Sequence, residues 1–341
     1  MVLAGRAPKR PLTLLSDKAQ ARLRKLLRAA LLLLAVGLAS SLSWYVLVRI
    51  VSPFNALKIR SSTPASPTRQ RPPGHLRILA YNICHCRGND LELVATNDQA
   101  ALDGRMRGIA EFLRHESPDI AVLNEVDFDA TFTGRMNQAG FFAKEGGFPY
   151  WVEQRNIDVD APFIYTDRFG NAVLSRLPIA RAQVIRLPAL KRWESIVAGH
   201  ANALLCELGL PEGRAMRFLG VHLESRSEET RAASVDVIEA VRDSSAVPLV
   251  VAGDMNSTPK GFPESRQHNG LNALSLLLDS GAYATLPHGK PSEQDFTGRT
   301  AGRKSVIDWI LVPSDWRILS RRVVPLPWSD HKAVVMDVVP N

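Results

Sequence analysis

The chain has 341 residues, of which 45% are hydrophobic and 22% are charged, a composition that is typical of a globular protein and excludes a disordered one. Its net charge of +8 arises at the N-terminus, because residues 1–74 contain 13 Lys and Arg residues and one acidic residue, Asp17. Subtracting these from the totals of 42 basic and 34 acidic residues leaves 29 and 33, a net charge of −4 for residues 75–341. The body therefore lacks the overall positive field that drives non-specific nucleic-acid binding, although a local basic groove is compatible with this balance.

The first predicted element is an uncharged run of 20 residues, 29–48, which is long enough to cross a bilayer as a helix. Trp44 and Tyr45 stand near its end, where aromatic side chains favour the membrane interface. The Lys and Arg residues that precede the run place the N-terminus in the cytoplasm by the positive-inside rule. We predict a basic cytoplasmic tail over residues 1–28 and a transmembrane signal anchor over residues 29–51.

A cleaved signal peptide is the alternative, with residues 31–39 as its apolar region and a small-residue cleavage site at Ala39. The long basic segment and the continuation of the apolar run beyond Ala39 favour the anchor. Both alternatives export the body, either as a single-pass membrane protein or as a secreted one. Residues 52–75 are rich in Ser and Pro, as in semi-extended linkers, and the folded domain is predicted over residues 76–341.

Short apolar runs that carry polar side chains at their ends follow from Leu76 onward. The runs are LRILAYN, DIAVLNE, RFLGVHLES, PLVVAGDMN, SVIDWILV and WSDHKAVVMDV. Their length and β-branched content predict buried strands. Between them, apolar residues recur at helical spacing from Leu102 to Leu113 and from Val235 to Val241. Strands combined with packed helices predict a layered α/β domain.

The first strand carries a polar residue on an apolar face. Period-two alternation places Leu79 and Tyr81 on one face and Ile78, Ala80 and Asn82 on the other. A buried carboxamide requires hydrogen-bond partners, and a polar pocket shared with other strand ends supplies them most simply.

The three cysteines, Cys84, Cys86 and Cys206, do not make a disulfide framework. Zinc sites are built from well-separated ligand pairs, and Cys84-His85-Cys86 has no second pair to join. We therefore expect small, semi-buried residues at a strand end rather than a zinc site.

In chain order, these motifs resemble the endonuclease/exonuclease/phosphatase superfamily, to which deoxyribonuclease I and neutral sphingomyelinases belong. The motifs are YN at 81–82, LNEVD at 123–127, GNAVLSR at 170–176, GVHLES at 220–225, GDMN at 253–256, IDWILV at 307–312 and SDH at 329–331. The combination of GDMN with a terminal SDH is specific, whereas each motif alone is weak. The resemblance implies a four-layer α/β sandwich of the deoxyribonuclease I type, in which two packed, mostly antiparallel β-sheets are flanked by helices.

Two positions depart from the family pattern. No acidic residue stands two positions after Asn82, which weakens an abasic-site nuclease assignment, and Asn124 replaces a common Gln. Neither departure removes the expected metal site.

Oxygen ligands predict a hard cation. Carboxylates, amide oxygens and water suit Mg²⁺ or Mn²⁺. Glu125 is the best single ligand, Asn82 can add or orient an oxygen beside it, and Asp330 is a second candidate carboxylate. Such a cation clamps a phosphate oxygen and offsets the charge that develops during displacement. The resemblance implies the same pairing of Glu125 with Asn82.

Two imidazoles and an Asp-x-Asn pair supply the proton chemistry. His331 can act as a general base or stabilise the phosphoryl transition state when a carboxylate holds its second nitrogen. The resemblance implies that Asp308 is that carboxylate. Asp254 and Asn256 point to one side of an extended segment, where Asp254 can hold the attacking water and Asn256 can bind phosphate. His222 would contact the phosphate or the leaving group, and the sequence leaves open whether Asp254 or His331 accepts the proton.

A further amide and a long aromatic segment bear on the substrate. Asn171 begins another predicted strand and is expected to face the same pocket. Aromatic residues between Asp127 and Arg168 can stack on bases or enter lipid head groups, although local packing is the more common role. They include Phe132, Phe141, Phe142, Phe148, Tyr150, Trp151, Phe163 and Tyr165.

The sequence as a whole predicts a Mg²⁺- or Mn²⁺-dependent phosphodiesterase that acts outside the cytoplasm. Its substrate is a phosphate ester, either a nucleic acid or a phospholipid head group of the sphingomyelin or phosphoinositide type. A non-catalytic, membrane-tethered binding module is the third alternative, and it is disfavoured because no expected catalytic position is lost. The sequence indicates no obligate protein partner.

Overall fold

The structure, a computed structural model, describes residues 16–51, 57–62, 72–88, 98–161, 165–191, 201–298 and 304–341. It divides into two units, Met1–Ser52 and Pro53–Asn341. The first 15 residues of the predicted tail, most of the predicted linker and the aromatic residue Phe163 lie outside the described residues.

The N-terminal unit contains one helix, α1, which spans Asp17–Val51. Within the described part of the chain, α1 is the helix long and apolar enough to cross a membrane, over Asp17–Leu47. A 35-residue helix is about 50 Å long, which exceeds the roughly 30 Å of a bilayer core. The basic segment 17–28, predicted as part of the tail, is therefore a helical extension of the apolar stretch. Length and composition fit a membrane anchor or a signal sequence equally.

The second unit is built on two β-sheets. Its described strands are β1 (Ile59–Ser61), β2 (Leu76–Asn82), β3 (Ile120–Ala130), β4 (Tyr150–Ala161), β5 (Tyr165–Ser175), β6 (Ile179–Arg186), β7 (Asn202–Gly209), β8 (Ala215–His222), β9 (Leu249–Asp254), β10 (Tyr283–Ala284), β11 (Asp308–Pro313), β12 (Arg317–Val324) and β13 (Ala333–Val339). The seven-stranded sheet has the order β1-β4-β5-β3-β2-β13-β12, and the six-stranded sheet has the order β10-β11-β9-β8-β7-β6. Its described α-helices are α2 (Gln99–Glu116), α3 (Gln138–Gly146), α4 (Glu228–Asp243) and α5 (Ala273–Asp279).

The two longer helices begin at side-chain caps. The Asp98 carboxylate accepts a hydrogen bond from the Ala101 backbone N–H at 3.0 Å at the start of α2. The Ser227 hydroxyl accepts one from the Thr230 N–H at 3.1 Å at the start of α4. Such caps satisfy N–H groups that have no partner inside the helix. The helices predicted from the spacing of Leu102–Leu113 and Val235–Val241 are confirmed.

Three apolar cores separate four layers. Ile78 and Ala80 lie in the core between the two sheets, whereas Leu79 and Tyr81 pack beneath α2 and α3. The alternation predicted for this strand is therefore confirmed. A third core lies between the six-stranded sheet and the helices α4 and α5. The predicted four-layer α/β sandwich is confirmed.

Strand β1 lies inside the segment predicted as a linker. Ile59–Ser61 pairs antiparallel with residues 150–152 of β4, at the edge of the seven-stranded sheet. All three of its residues are exposed, so the strand has no buried face to reveal it in the sequence. The folded unit consequently includes residues ahead of position 76.

One edge of the sandwich collects the polar strand ends. β2 runs parallel to β3, and β8 runs parallel to β9. β11 and β13 are antiparallel to β9 and β2, so they begin where those strands end. This arrangement brings polar residues from distant parts of the chain to a single edge.

Candidate active site

Four polar residues stand at the ends of strands along this edge. Asn82, His222 and Asp254 are the last residues of β2, β8 and β9, and Asp308 is the first residue of β11. Asp254 pairs in register with His222 on one side and with Asp308 on the other. Side chains of the two sheets therefore meet here because their strands end together.

A β-bulge directs Glu125 into the same edge. Glu125 has a φ of 54°, and the pairing of β3 with β5 shifts register between Leu123 and Val126. A bulge re-aims the side chain that it carries. A left-handed conformation costs a non-glycine residue roughly 1–2 kcal/mol, and such strain is commonly found at functional sites. The Glu125 side chain remains 26% exposed, so it is open to a ligand.

Asn82 joins two carboxylates. Its Nδ2 donates to Glu125 Oε1 at 3.0 Å and to Asp254 Oδ2 at 3.1 Å. Its Oδ1 accepts from the backbone N–H of Cys84 at 3.0 Å, which fixes the orientation of the amide. Of the two roles predicted for Asn82, this geometry favours orienting the neighbouring oxygens over supplying one.

His331 and Asp308 form a buried pair. His331 Nδ1 lies 2.9 Å from Asp308 Oδ2, and His331 Nε2 lies 3.8 Å from Asp254 Oδ2. Burial lowers the pKa of His331, but the carboxylates of Asp308 and Asp254 outweigh burial and raise the pKa to about 10. Burial raises the pKa of Asp308 to about 6 against the opposing effect of His331. At neutral pH the pair is therefore an imidazolium and a carboxylate, and His331 presents a proton on Nε2.

His222 faces both carboxylates held by Asn82. Its Nε2 lies 3.6 Å from Asp254 Oδ2 and 3.9 Å from Glu125 Oε1, just beyond hydrogen-bond distance. Burial raises the pKa of Glu125, but His222 and His85 outweigh burial, so the pKa is lowered. Glu125 is therefore ionised at neutral pH, as a metal ligand must be.

The loop that carries His331 is tied to β2. The Ser329 hydroxyl donates to the Asn82 carbonyl oxygen at 2.7 Å and accepts from the His331 N–H at 3.1 Å. Asp330, between them, approaches the Cys84 thiol, and burial followed by the charges of Glu125 and Asp330 raises the pKa of that thiol. Asp330 and Glu125 therefore both act on the Cys84 thiol.

Asn256 stands on the opposite side of Asp254. Its backbone N–H donates to Asp254 Oδ1 at 2.9 Å, and its Nδ2 donates to the Leu223 carbonyl oxygen at 3.0 Å. Its φ of 48° is left-handed, so the prediction that Asp254 and Asn256 lie on an extended segment is wrong. Within the described part of the chain, the Leu223 carbonyl is the acceptor that Asn256 Nδ2 contacts.

Gly253 permits the close approach of β9 to its neighbours. Its φ is 134°, and a Cβ there would lie 2.1 Å from the Val221 carbonyl oxygen and 3.0 Å from Asn124 Oδ1. A side chain at this position would therefore displace the backbone that carries Asp254. This contact explains why Gly precedes Asp in the GDMN motif.

Asn171 lies beneath the site rather than in it. It is fully buried, its Oδ1 accepts from Asn124 Nδ2 at 2.7 Å, and its Nδ2 donates to Gln154 Oε1 at 2.8 Å. Asn124 Oδ1 in turn accepts from the Asp254 N–H at 2.9 Å. Asn171 was expected to face the pocket, but these bonds leave it no group for a ligand, and it supports Asp254 through Asn124 instead.

A second histidine–carboxylate pair, which the motifs did not reveal, lies on the other side of Glu125. His85 Nδ1 lies 2.6 Å from Asp127 Oδ1, and His85 Nε2 lies 3.5 Å from Glu125 Oε2. Burial lowers the pKa of His85, but Asp127 outweighs burial and raises it. Cys84, His85 and Cys86 have φ values of 45°, 53° and 60°, so a left-handed turn presents this imidazole to Glu125. Two features of the sequence could have indicated this pair. His85 stands three residues after Asn82, and Asp127 stands two residues after Glu125.

The donor groups fit a hard divalent cation. Ligand atoms of Asp254, Asp308 and His331 lie within 4.8 Å of one another, a set that differs from the predicted ligands Glu125, Asn82 and Asp330. Because the His331 imidazolium has no free lone pair, the carboxylates of Asp254 and Asp308 are the members of this set that could hold a cation. Asn82 connects the two sets because it contacts Glu125 and Asp254. Asp308 Oδ1 is buried without a hydrogen-bond partner, as expected where a cation completes a site.

The remaining sulfur and aromatic residues mostly pack into the cores. Cys86 and Cys206 lie in separate apolar cores. The aromatic members that pack in or against these cores are Phe141, Phe142, Phe148, Tyr150 and Trp151. Phe132 instead contacts the His85 ring at a centroid distance of 5.7 Å, and Tyr165 is 39% exposed. Phe132 therefore lies beside the site through its contact with His85.

Paired carboxylates and a carboxylate-held imidazole at the edge of a four-layer sandwich are the groups that metal-assisted hydrolysis requires. Residues 79–331 match the model of the Endonuclease/Exonuclease/phosphatase family. The chain therefore belongs to that family, as the motifs predicted.

Individual proteins support the assignment. Nocturnin of Xenopus laevis is 28% identical over 306 residues, which cover 80% of this chain and 74% of that protein. An endonuclease/exonuclease/phosphatase from Beutenbergia cavernae has a TM-score of 0.59 at 22% identity and covers 78% of this chain and 71% of its own. The human Nocturnin catalytic domain with bound sulfate has a TM-score of 0.54 at 18% identity, with coverage of 82% and 99%. These structures share the fold.

The amide network beneath the site gives a stability prediction. Asn124→Leu leaves the Asp254 N–H, Asn171 Oδ1 and the Val221 carbonyl without their partner. We expect a loss of about 3 kcal/mol, or a fall of roughly 6–10 °C in the melting temperature, measured by tryptophan fluorescence. Gln183→Leu removes an exposed amide from β6 and is the matched control. An Asn124→Leu protein that melts with the wild type contradicts this role.

Proposed function

We propose that this chain is a divalent-metal-dependent phosphodiesterase that acts outside the cytoplasm. The observation that carries the proposal is the convergence of Glu125, Asp254 and His331, which lie far apart in sequence, at one edge of the sandwich. Residues that are distant in the chain meet in this way where they perform one reaction together.

Glu125 is the proposed principal ligand of the cation, with Asp330 as a second candidate. When bound, Mg²⁺ or Mn²⁺ neutralises charge on a phosphate oxygen. Asn82 holds Glu125 and Asp254 in place, because its amide donates to both carboxylates. Asn82 therefore acts through its neighbours rather than on the substrate.

Asp254 is the proposed acceptor of the proton from the attacking water. Its neighbour His331 is held as an imidazolium by Asp308, so His331 donates a hydrogen bond to a phosphoryl oxygen rather than accepting a proton. We therefore propose Asp254, and not His331, as the proton acceptor. His222, beside Asp254, and Asn256 are the proposed hydrogen-bond donors to the other phosphate oxygens.

A phosphodiester carries the tetrahedral oxyanion that these donors suit. The human Nocturnin catalytic domain, which shares the fold, was determined with a bound sulfate anion, and sulfate has the same shape. A nucleic acid and a phospholipid head group are the two proposed substrate classes. The apolar helix α1 favours the second class, because a membrane anchor would hold the domain beside lipid.

A substrate panel tests this function on the full chain in detergent micelles. It includes plasmid DNA, RNA, sphingomyelin, phosphoinositides and bis-p-nitrophenyl phosphate, each with Mg²⁺, Mn²⁺ or EDTA. We expect hydrolysis of at least one diester with a divalent cation and none in EDTA. His331→Ala and Asp254→Ala should each lower kcat by about 10²–10⁴-fold. His268→Ala, a partly exposed histidine outside the site, is the control. Undiminished turnover in EDTA, or in both variants, would refute the assigned roles.

A reporter experiment tests the proposed location. The domain is proposed to lie outside the cytoplasm, with residues 1–28 inside, because the basic residues precede the apolar stretch. A C-terminal alkaline phosphatase fusion should be active and a matched green fluorescent protein fusion should be dark. Membrane fractionation separates the anchored form from one released by cleavage near Ala39. A fluorescent, cytoplasmic C-terminus contradicts the proposed export.

A further inference from the structure

Arg87 is a cation that none of the proposed catalytic roles uses. Its guanidinium carbon lies 4.6 Å from the centroid of the Phe132 ring. Its Nε is buried without a hydrogen-bond partner, and no carboxylate of the described residues forms an ion pair with it. A guanidinium stacked on an aromatic ring keeps its N–H edge free for a planar, bidentate partner.

The position of Arg87 is fixed by both sides of the site. Arg87 directly follows the left-handed turn of Cys84–Cys86, and the next residue, Gly88, donates its N–H to the Trp328 carbonyl oxygen at 3.2 Å. Trp328 immediately precedes the loop that carries His331. Arg87 is therefore held at the rim between the turn and that loop.

The rings of His85 and Phe132 lie between Glu125 and Arg87. His85 contacts Glu125 at 3.5 Å, and the His85 and Phe132 ring centroids lie 5.7 Å apart. With the 4.6 Å from Phe132 to Arg87, the guanidinium lies at most about 10 Å from the His85 ring. A substrate whose phosphate lies at Glu125 can therefore reach Arg87 with a neighbouring group.

Asp167 is an acidic residue whose carboxyl group senses the charge of Arg87. Asp167 accepts a hydrogen bond from the Tyr165 hydroxyl at 3.1 Å, and burial raises the pKa of its carboxyl group. Guanidinium groups pair most strongly with phosphates and carboxylates, through two parallel N–H bonds. An anionic group of the substrate is thus the partner that Arg87 suits.

We propose that Arg87, supported by Phe132, binds a second anionic group of the substrate beside the phosphate that is hydrolysed. The inference rests on the proposed function, because it takes Glu125, Asp254 and His331 to hold the first phosphate. The substrate is then a phosphate ester with two anionic groups close together. Neighbouring phosphates of a nucleic acid and the head group of a phosphoinositide share that chemistry, whereas the cationic choline of sphingomyelin lacks it.

Matched ligand pairs test this subsite by isothermal titration calorimetry on the full chain in detergent with Mg²⁺. One pair is adenosine 3′,5′-bisphosphate and adenosine 5′-monophosphate, and the other is inositol 1,4-bisphosphate and inositol 1-phosphate. We expect the wild type to prefer the bisphosphate of at least one pair by about tenfold or more, as a charge-assisted bond provides. The preferred pair identifies nucleotide or inositol as the source.

Variants assign the preference to Arg87. Arg87→Gln should reduce the ratio of the two affinities to about one, and Arg87→Lys should give an intermediate ratio because it keeps the charge but not the planar fork. Phe132→Leu should also lower the ratio by removing the stacking surface. Arg317→Gln is the matched control. Arg317 lies opposite Val339 in the pairing of β12 with β13, at the end of these strands that is remote from His331.

The outcomes separate the two proposals. Equal binding of the single and double anions by the wild type, or an unchanged ratio in Arg87→Gln, overturns the subsite and leaves the proposed function standing. Failure of all four ligands to bind also overturns the subsite, whereas the proposed function is decided by the substrate panel. The melting temperature of each variant, measured alongside, verifies that the affinities compared are those of folded protein.

Discussion

Two carboxylates share one amide group, and the rest of the site depends on this interaction. Glu125 and Asp254 carry like charges that repel each other in a partly buried site. The Asn82 amide uses one hydrogen for each, at 3.0 and 3.1 Å, and the imidazoles of His222, His331 and His85 surround them. Asp127 and Asp308 hold two of these imidazoles, so four carboxylates stand beside three imidazoles, and this excess of oxygen ligands suits a divalent cation. Binding such a cation relieves the repulsion that folding creates.

The residues around this centre are ordered by buried hydrogen bonds and by strained backbone. Asn124 and Asn171 support Asp254 from below, and Ser329 ties the His331 loop to β2. Glu125 and Asn256 both have left-handed φ values, as does the turn that presents His85. Such conformations persist where the surrounding contacts over-determine them. The edge of the sandwich is therefore preorganised at the expense of local stability.

The sequence predicted most of the layers and the order of the site residues, and physical reasons explain the remainder. Buried strands and amphipathic helices have clear periodicity, and the motifs define which strand ends are polar. The exposed edge strand β1 has no buried face to detect. The depth of Asn171 and the pairing of His85 with Asp127 depend on which strands are neighbours. The orientation of Asn82 depends on the turn that follows it. Spacing along the chain carries none of this three-dimensional information.

The affinity for a divalent cation is the most direct measure of this account. Mn²⁺ binding to the full chain in detergent can be followed by electron paramagnetic resonance without any substrate. If Glu125 is the principal ligand, Mn²⁺ binding should be saturable and should weaken at least tenfold in Glu125→Gln. Binding should be retained in Glu239→Gln, because Glu239 is a carboxylate of helix α4 that pairs with Arg242. Binding of Mn²⁺ by Glu125→Gln with wild-type affinity would contradict this account.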